Sequence, residues 1–303
     1  MKNYRDITGD GGSNVVGQVT EQLDRVNARL ASVRHIVAVM SGKGGVGKSS
    51  VAVNLASALA VQGSAVGILD ADINGSTVPK MTGVRGQPLR RGATGMIPPV
   101  NSLNMPVMSI ELLLRDDRAP VRWNAPTQQD AYTWRGMMEM GAIREFLSDT
   151  EWGTLDFLFI DLPPGTDKLP NIVGLLPRIS GTVVVTIPSH VSQFVVAKSI
   201  RVAKELLKTP VVGLVENMSS YVCRHCGEEE TLFPGGNVEG MAAEENVPYL
   251  GKIPFDPRIA AAADEEVSFM VQHGDTPAGK AIHGIADGIK KFVEQSAPND
   301  QTG

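Results

Sequence analysis

Short apolar runs punctuate the chain, and their spacing predicts a parallel α/β fold. His35-Ile36-Val37-Ala38-Val39-Met40 is β-branched and apolar at successive positions, as expected of a strand covered on both faces. It runs into a glycine-rich turn, after which residues 48–61 have the Ala and Leu content of a helix. The alternation recurs with apolar runs at 65–69, 155–160, 182–187, 211–215 and 249–253, mostly separated by helical segments. Such an order implies one mostly parallel sheet covered by helices on both faces. Ahead of the first strand, Leu23, Val26 and Leu30 recur at helical spacing within 20–33, with Thr20 placed to cap.

Residues 1–19 are polar and Gly-rich and are expected to be a flexible leader, and 296–303 a polar tail. Between them no Pro-, Gly- or Ser-rich linker and no internal repeat divides the chain, so 20–295 is expected to be a single domain. The stretch 82–135 is expected to be an excursion from the sheet. Two later segments are predicted to be packing helices: 191–207, carrying Phe194, Val195, Ala197, Ile200, Val202, Ala203, Leu206 and Leu207, and 278–293, carrying Ile282, Ile285, Ile289 and Phe292. The second lacks the basic polar face of a membrane anchor, since Lys290 and Lys291 stand near Asp287 and Glu294.

The turn after the first strand carries the chemistry. Gly42-Lys43-Gly44-Gly45-Val46-Gly47-Lys48-Ser49, followed by Ser50, fits the phosphate-loop pattern G-x-x-x-x-G-K-[ST], and it has the strand before and helix after that the pattern requires. The glycines let backbone N–H groups face phosphate oxygens, Lys48 reaches the β- and γ-phosphates, and the Ser49 hydroxyl is a Mg2+ ligand. The fold class is therefore that of an α/β, single-domain P-loop NTPase. Asp70 and Asp72 end one strand run and Asp161 ends another, at the carboxyl edge where such sheets assemble ligand sites. A carboxylate at the position of Asp161 is the expected Mg2+ partner; capping a loop is the plainer role open to all three.

Composition adds limits. The 303 residues are 42% hydrophobic and 20% charged, with a net charge of -5, which suits a globular protein and argues against a surface dedicated to nucleic acid or anionic lipid. No run of about 18 apolar residues occurs, so no membrane span is expected, and a cytoplasmic location is. Both cysteines, Cys223 and Cys226, fall in one C-x-x-C within a loop near 217–230. Half a zinc site, a redox pair and half an iron–sulfur site are all open to such a pair. One chain is short of the four ligands that a zinc site or a cluster needs, and two chains supply four thiolates.

Taken in order, SGKGGVGKSS, LDADINGSTVP, TWRG, FIDLPPGT, VENMS with CRHC, and GKIPFDPRI resemble the Mrp/ApbC family of iron–sulfur carrier ATPases. That family belongs to the deviant Walker A group with MinD, ParA, ArsA and nitrogenase iron protein. The resemblance, over about residues 30–270, implies an ATP-dependent carrier that hydrolyses ATP as a homodimer and delivers clusters to apo iron–sulfur proteins. It implies that Lys43, otherwise readable as a solvated loop cation, reaches the phosphates of the partner chain. It further implies that Asp72 positions the attacking water, Asp161 holds the Mg2+ shell, Gly165 senses the γ-phosphate and Asn217 contacts adenine. Cys223 and Cys226 are implied to share a [4Fe-4S] cluster across the dimer. Two features depart from the family pattern: PPGTDK stands where PPGTGD is usual, and residues 123–133 are inserted before TWRG. The competing classes are a ParA- or MinD-like positioning ATPase and a zinc-bridged, nucleotide-dependent interaction protein.

Overall fold

The computed structural model describes residues 15–114, 128–165, 169–176, 178–223 and 225–296. The 123–133 insertion and the Asp167 that departs from the family pattern fall wholly or partly outside them, as do most of the leader and the tail. In chain order the helices are α1 (Val15–Leu30), α2 (Lys48–Val61), α3 (Val78–Thr82), α4 (Gln128–Asp149), α5 (Leu169–Val173), α6 (His190–Arg201), α7 (Val238–Glu244), α8 (Pro257–Asp264), α9 (Phe269–His273) and α10 (Pro277–Ser296). The strands are β1 (Val33–Met40), β2 (Val66–Asp70), β3 (Arg90–Arg91), β4 (Met96–Ile97), β5 (Val107–Met108), β6 (Leu155–Asp161), β7 (Gly181–Thr186), β8 (Val211–Val222), β9 (Glu229–Thr231) and β10 (Tyr249–Phe255).

Eight of these strands form one sheet in the order β10-β8-β7-β1-β6-β2-β5, with β9 added antiparallel to β8. Every other pairing within it is parallel. Alternate residues of β1 feed opposite cores. Ile36, Ala38 and Met40 pack with α1, α4, α5, α6 and α7, whereas Val37 and Val39 pack with α2, α3, α8, α9 and α10. This two-sided burial is why the strands read as unbroken apolar runs.

Helix α2 lies deepest. Val51, Ala52, Val53, Leu55, Ala56, Ala58 and Leu59 are buried almost around its circumference, and each fully buried Val or Leu contributes roughly 1.5–3 kcal/mol. The phosphate loop is thereby mounted on a rigid element. Helix α10 docks on the body as expected, with Ile282, Ile285, Ile289 and Val293 buried.

Before β1, α1 begins at Val15 and ends at Leu30, so Thr20, expected as its cap, lies within it, and Val33 opens β1. Three further expectations are corrected. First, the 82–135 excursion returns to the sheet at Val107–Met108, which pairs with β2 as an edge strand. Second, β8 does not stop at Val215; it continues through Asn217 to Val222, held by β10 and β9. Third, the helix over 191–207 is not packed throughout. Val196, Ile200 and Ala203 are buried, but Phe194 is 67% and Leu206 62% exposed, and the α-helix gives way to a π-helical turn at Val202–Leu206.

Candidate functional site

The parallel register brings the site's carboxylates together at one edge of the sheet. β2 pairs with β6 so that Asp70 stands beside Asp161, and β1 pairs with β6 so that Val39 stands beside Asp161. The phosphate loop leaves β1 just beyond that point and wraps into α2. Gly45 and Gly47 adopt φ of 80° and 79°, a region that a side chain disfavours. At Gly47 the need is doubled, because a Cβ there would collide with Asn217 Nδ2.

Lys48 and Asp161 form a buried ion pair, Nζ to Oδ1, and Lys48 Nζ also donates to Ser49 Oγ at 3.2 Å. Burial pushes the Asp161 carboxyl up, against the pull of Lys48 and a hydrogen bond from Ser49. Its other oxygen, Oδ2, is buried with no hydrogen-bond partner among the described residues. A buried orphan acceptor next to a serine hydroxyl fits a hydrated Mg2+, whose preferred ligands are oxygens and water.

Asp70 organises the neighbouring loop. Its carboxylate accepts from Ser76 Oγ at 2.8 Å, from the Thr77 and Val78 N–H groups at 3.1 and 3.2 Å, and from the Asp72 N–H at 3.1 Å. Complete burial, reinforced by the nearby Asp161 charge, pushes it up to about 7. Asp72, half-buried on the same loop, accepts from the Gly75 N–H at 3.3 Å. Lys43 is exposed, and the Gly165 N–H donates to the Ser41 carbonyl at 3.1 Å.

On the far side of the loop, Asn217 Nδ2 donates to the Val46 carbonyl at 2.9 Å. The next residue, Met218, has φ 55° within the strand, a left-handed conformation that costs roughly 1–2 kcal/mol for an ordinary side chain. It brings the Met218 side chain to Gly47. Beside these residues lies a cavity of about 320 Å³ whose walls include Gly47, Met81, Asn217, Met218, Phe255 and Ile259, a size and lining suited to a small aromatic ligand. The wall from β10 and α8 carried no assigned role in the sequence, although GKIPFDPRI marks it. The available signal was its place at the carboxyl end of a strand adjoining β8.

The cysteines cap the β8–β9 hairpin. The Cys223 N–H donates to the Glu228 carbonyl at 2.8 Å, the Gly227 N–H donates to the Cys223 carbonyl at 2.9 Å, and Gly227 takes φ 74° to close the turn. The backbone N–H groups of Cys226 and His225 point at Cys223 Sγ and, with the Cys226 side chain, hold its thiol below the usual range. Two N–H donors aimed at one sulfur favour a thiolate, the form that binds iron or zinc. Both thiols are free. The pair lies at a hairpin tip, not at the helix start typical of thioredoxin-like redox pairs. No group of three or more His, Cys, Asp or Glu gathers as a metal site among the described residues.

Residues 32–290 match the family described as the NUBPL iron-transfer P-loop NTPase, within ParA. The chain belongs to that family. Among its relatives, a protein of Saccharolobus solfataricus named iron-sulfur cluster carrier protein is 43% identical over 283 residues, 93% of this chain and 92% of its own. One of the same name from Methanocaldococcus jannaschii is 42% identical over 278 residues, 91% of this chain and 90% of its own. A nucleotide-binding protein of Archaeoglobus fulgidus, solved in complex with ADP, superposes with a TM-score of 0.69 at 35% identity, covering 80% of this chain and 91% of that one. The cell division ATPase MinD of Pyrococcus furiosus shares the fold at 20% identity, with a TM-score of 0.57 over 85% of this chain and 99% of its own. No helix among the described residues is long and apolar enough to cross a membrane.

Proposed function

We propose that this P-loop NTPase is an ATP-dependent iron–sulfur cluster carrier that works as a homodimer, holding a [4Fe-4S] cargo between the Cys223–Cys226 pairs of two chains for delivery to apo-proteins. The observation that carries the reading is the linkage of both sites by one strand: Asn217 of β8 holds the phosphate loop, and β8 ends at Val222, next to the thiol-presenting Cys223. The names of the relatives in Saccharolobus and Methanocaldococcus support the cargo, and the absence of a third ligand among the described residues supports a second chain. Free thiols of this kind persist in a reducing compartment such as the cytoplasm.

In this reading the 320 Å³ cavity takes adenine, whose amino group donates to Asn217 Oδ1. The loop residues Gly42, Lys43, Gly44, Gly45, Val46, Gly47, Lys48, Ser49 and Ser50 cradle the phosphates, and Lys48 exchanges its bond to Asp161 for one to phosphate. Asp161 and Ser49 hold Mg2+, which neutralises charge on the β- and γ-phosphates when bound. Gly165 releases the Ser41 carbonyl and turns its N–H to the γ-phosphate. Asp72 orients the attacking water, on a loop that Asp70 keeps in place. Lys43 of each chain stabilises charge developing on its partner's γ-phosphoryl group, in the manner of an arginine finger.

Anaerobic reconstitution with ferrous iron and sulfide tests the reading. A visible iron–sulfur absorbance with one cluster per two chains is expected, abolished in Cys223→Ser and in Cys226→Ser while both still bind ADP. A full cluster in either variant, or a chain that takes up only zinc, refutes it.

A further inference from the structure

A second, smaller cleft of about 160 Å³ opens beside Cys223, with Tyr221, Phe255, Arg258 and Pro277 among its walls. Cys223 lines it and Cys226 does not. By volume it has room for on the order of ten water-sized groups, which suits a cysteine with its flanking peptide units and is far short of a nucleotide. Its walls are stiff: three prolines, Pro254, Pro257 and Pro277, frame it, and Arg258 is fixed to Asp256 by Nε contacts of 2.9 and 3.1 Å. A half-open, mostly apolar cleft against one of the two sulfurs proposed to ligate iron is a place where an incoming ligand meets iron with part of the competing water excluded. The Arg258 guanidinium on its rim is paired with Asp256, which also lines the cleft, so the rim offers an incoming sulfur N–H donors and no net charge.

We propose that this cleft receives the cysteine of a recipient protein, so that cluster transfer begins by ligand exchange at Cys223 and not at Cys226; the inference rests on the carrier reading above. The incoming sulfur forms a bond to iron as the bond from iron to Cys223 Sγ breaks. Cys223 leaves as a thiolate and takes up the proton that the incoming thiol gave up, and no electron changes hands. Cys226 keeps the cluster attached until the recipient's second ligand arrives.

The test uses the cluster-loaded protein, an apo-ferredoxin as recipient and a small iron chelator as control. Tyr221→Trp and Pro277→Phe each fill the cleft. Both are expected to slow transfer to the ferredoxin by about tenfold or more, as loss of a positioned encounter does, while loss of iron to the chelator from the open Cys226 side keeps its rate. Transfer at the unaltered rate in a filled variant that carries a full cluster overturns the proposal and leaves the carrier reading standing. An unaltered protein that loads no cluster overturns both. A second measurement needs no cluster: a peptide cysteine activated as its thionitrobenzoate disulfide, offered to the metal-free chain, exchanges with a protein thiolate and releases thionitrobenzoate. Because the neighbouring thiol would displace the peptide and close a Cys223–Cys226 disulfide, the thiols are compared one at a time: thionitrobenzoate release is expected to be faster from Cys226→Ser than from Cys223→Ser, and an equal or slower rate contradicts the assignment.

Discussion

Lys48 is the counter-ion of Asp161, and replacing it by methionine isolates that role from packing. Both groups are buried, and Asp161 already has one oxygen without a hydrogen-bond partner among the described residues. Removing one member of a buried pair leaves an uncompensated charge and costs about 3–5 kcal/mol. Against a total stability of about 5–15 kcal/mol this is a large fraction. With a urea slope of ~2–3 kcal/mol/M, Lys48→Met is expected to lower the unfolding midpoint by about 1–2.5 M. Asp161→Asn leaves the ammonium buried and is expected to cost a similar amount. The double variant is expected to lie within ~1 kcal/mol of the parent, because neither charge then remains. Acidification supplies an independent arm. Burial raises the Asp161 carboxyl, so in Lys48→Met the folded state takes up a proton more readily than the unfolded chain, and stability recovers as pH falls through the raised folded-state value. Urea titrations of the four proteins without nucleotide decide the matter. Additive losses in the double variant, or a Lys48→Met cost below ~1 kcal/mol, would show that the pair is not the internal counter-ion described.

Three further outcomes follow from the site. Asp70 is raised from 3.8 to about 7, so the folded state holds a proton that the unfolded chain has lost between those values; its contribution is fully present below about pH 4 and is lost as pH rises through about 7. Asp70→Asn should flatten that part of a stability–pH curve measured by urea unfolding, and an unchanged curve counts against it. Asn217→Ala removes the bond to the Val46 carbonyl and is expected to weaken ADP binding by about five- to tenfold in calorimetry, the equivalent of ~1 kcal/mol; equal affinity rejects its role. Lys43→Ala alters an exposed side chain, so stability should move by less than ~0.5 kcal/mol, whereas ATP turnover should fall about a thousandfold if the lysine acts across a dimer. Turnover at the parent rate excludes that action.

The parts legible in the sequence are those whose cause is local. Helix α2 spans the residues expected of it, because its start is set by the phosphate loop and its apolar surface is nearly continuous. Strand β5 was not legible: two residues held by pairing of Val107 with Ile68 leave no periodic trace. The far half of β8 was missed because Glu216, Asn217, Ser219 and Ser220 read as a polar loop, yet β9 and β10 supply its hydrogen bonds. Phe194 was expected in the core because it is apolar, but the buried stripe is Val196, Ile200 and Ala203, and a residue two positions before Val196 faces away from it. In the site, the loop and its lysines were visible as a motif. The Lys48–Asp161 pair joins residues 113 positions apart and depends on the β1–β6 register.

Pro254, Phe255 and Asp256 border both the 320 Å³ cavity and the cleft beside Cys223. A single partition therefore separates two chambers, with no intervening layer of protein to absorb a shift. Ligands seated in the two chambers would press on the same three residues. On the carrier reading proposed above, base preference and cluster release are then coupled, and a variant altered in the first is expected to differ in the second.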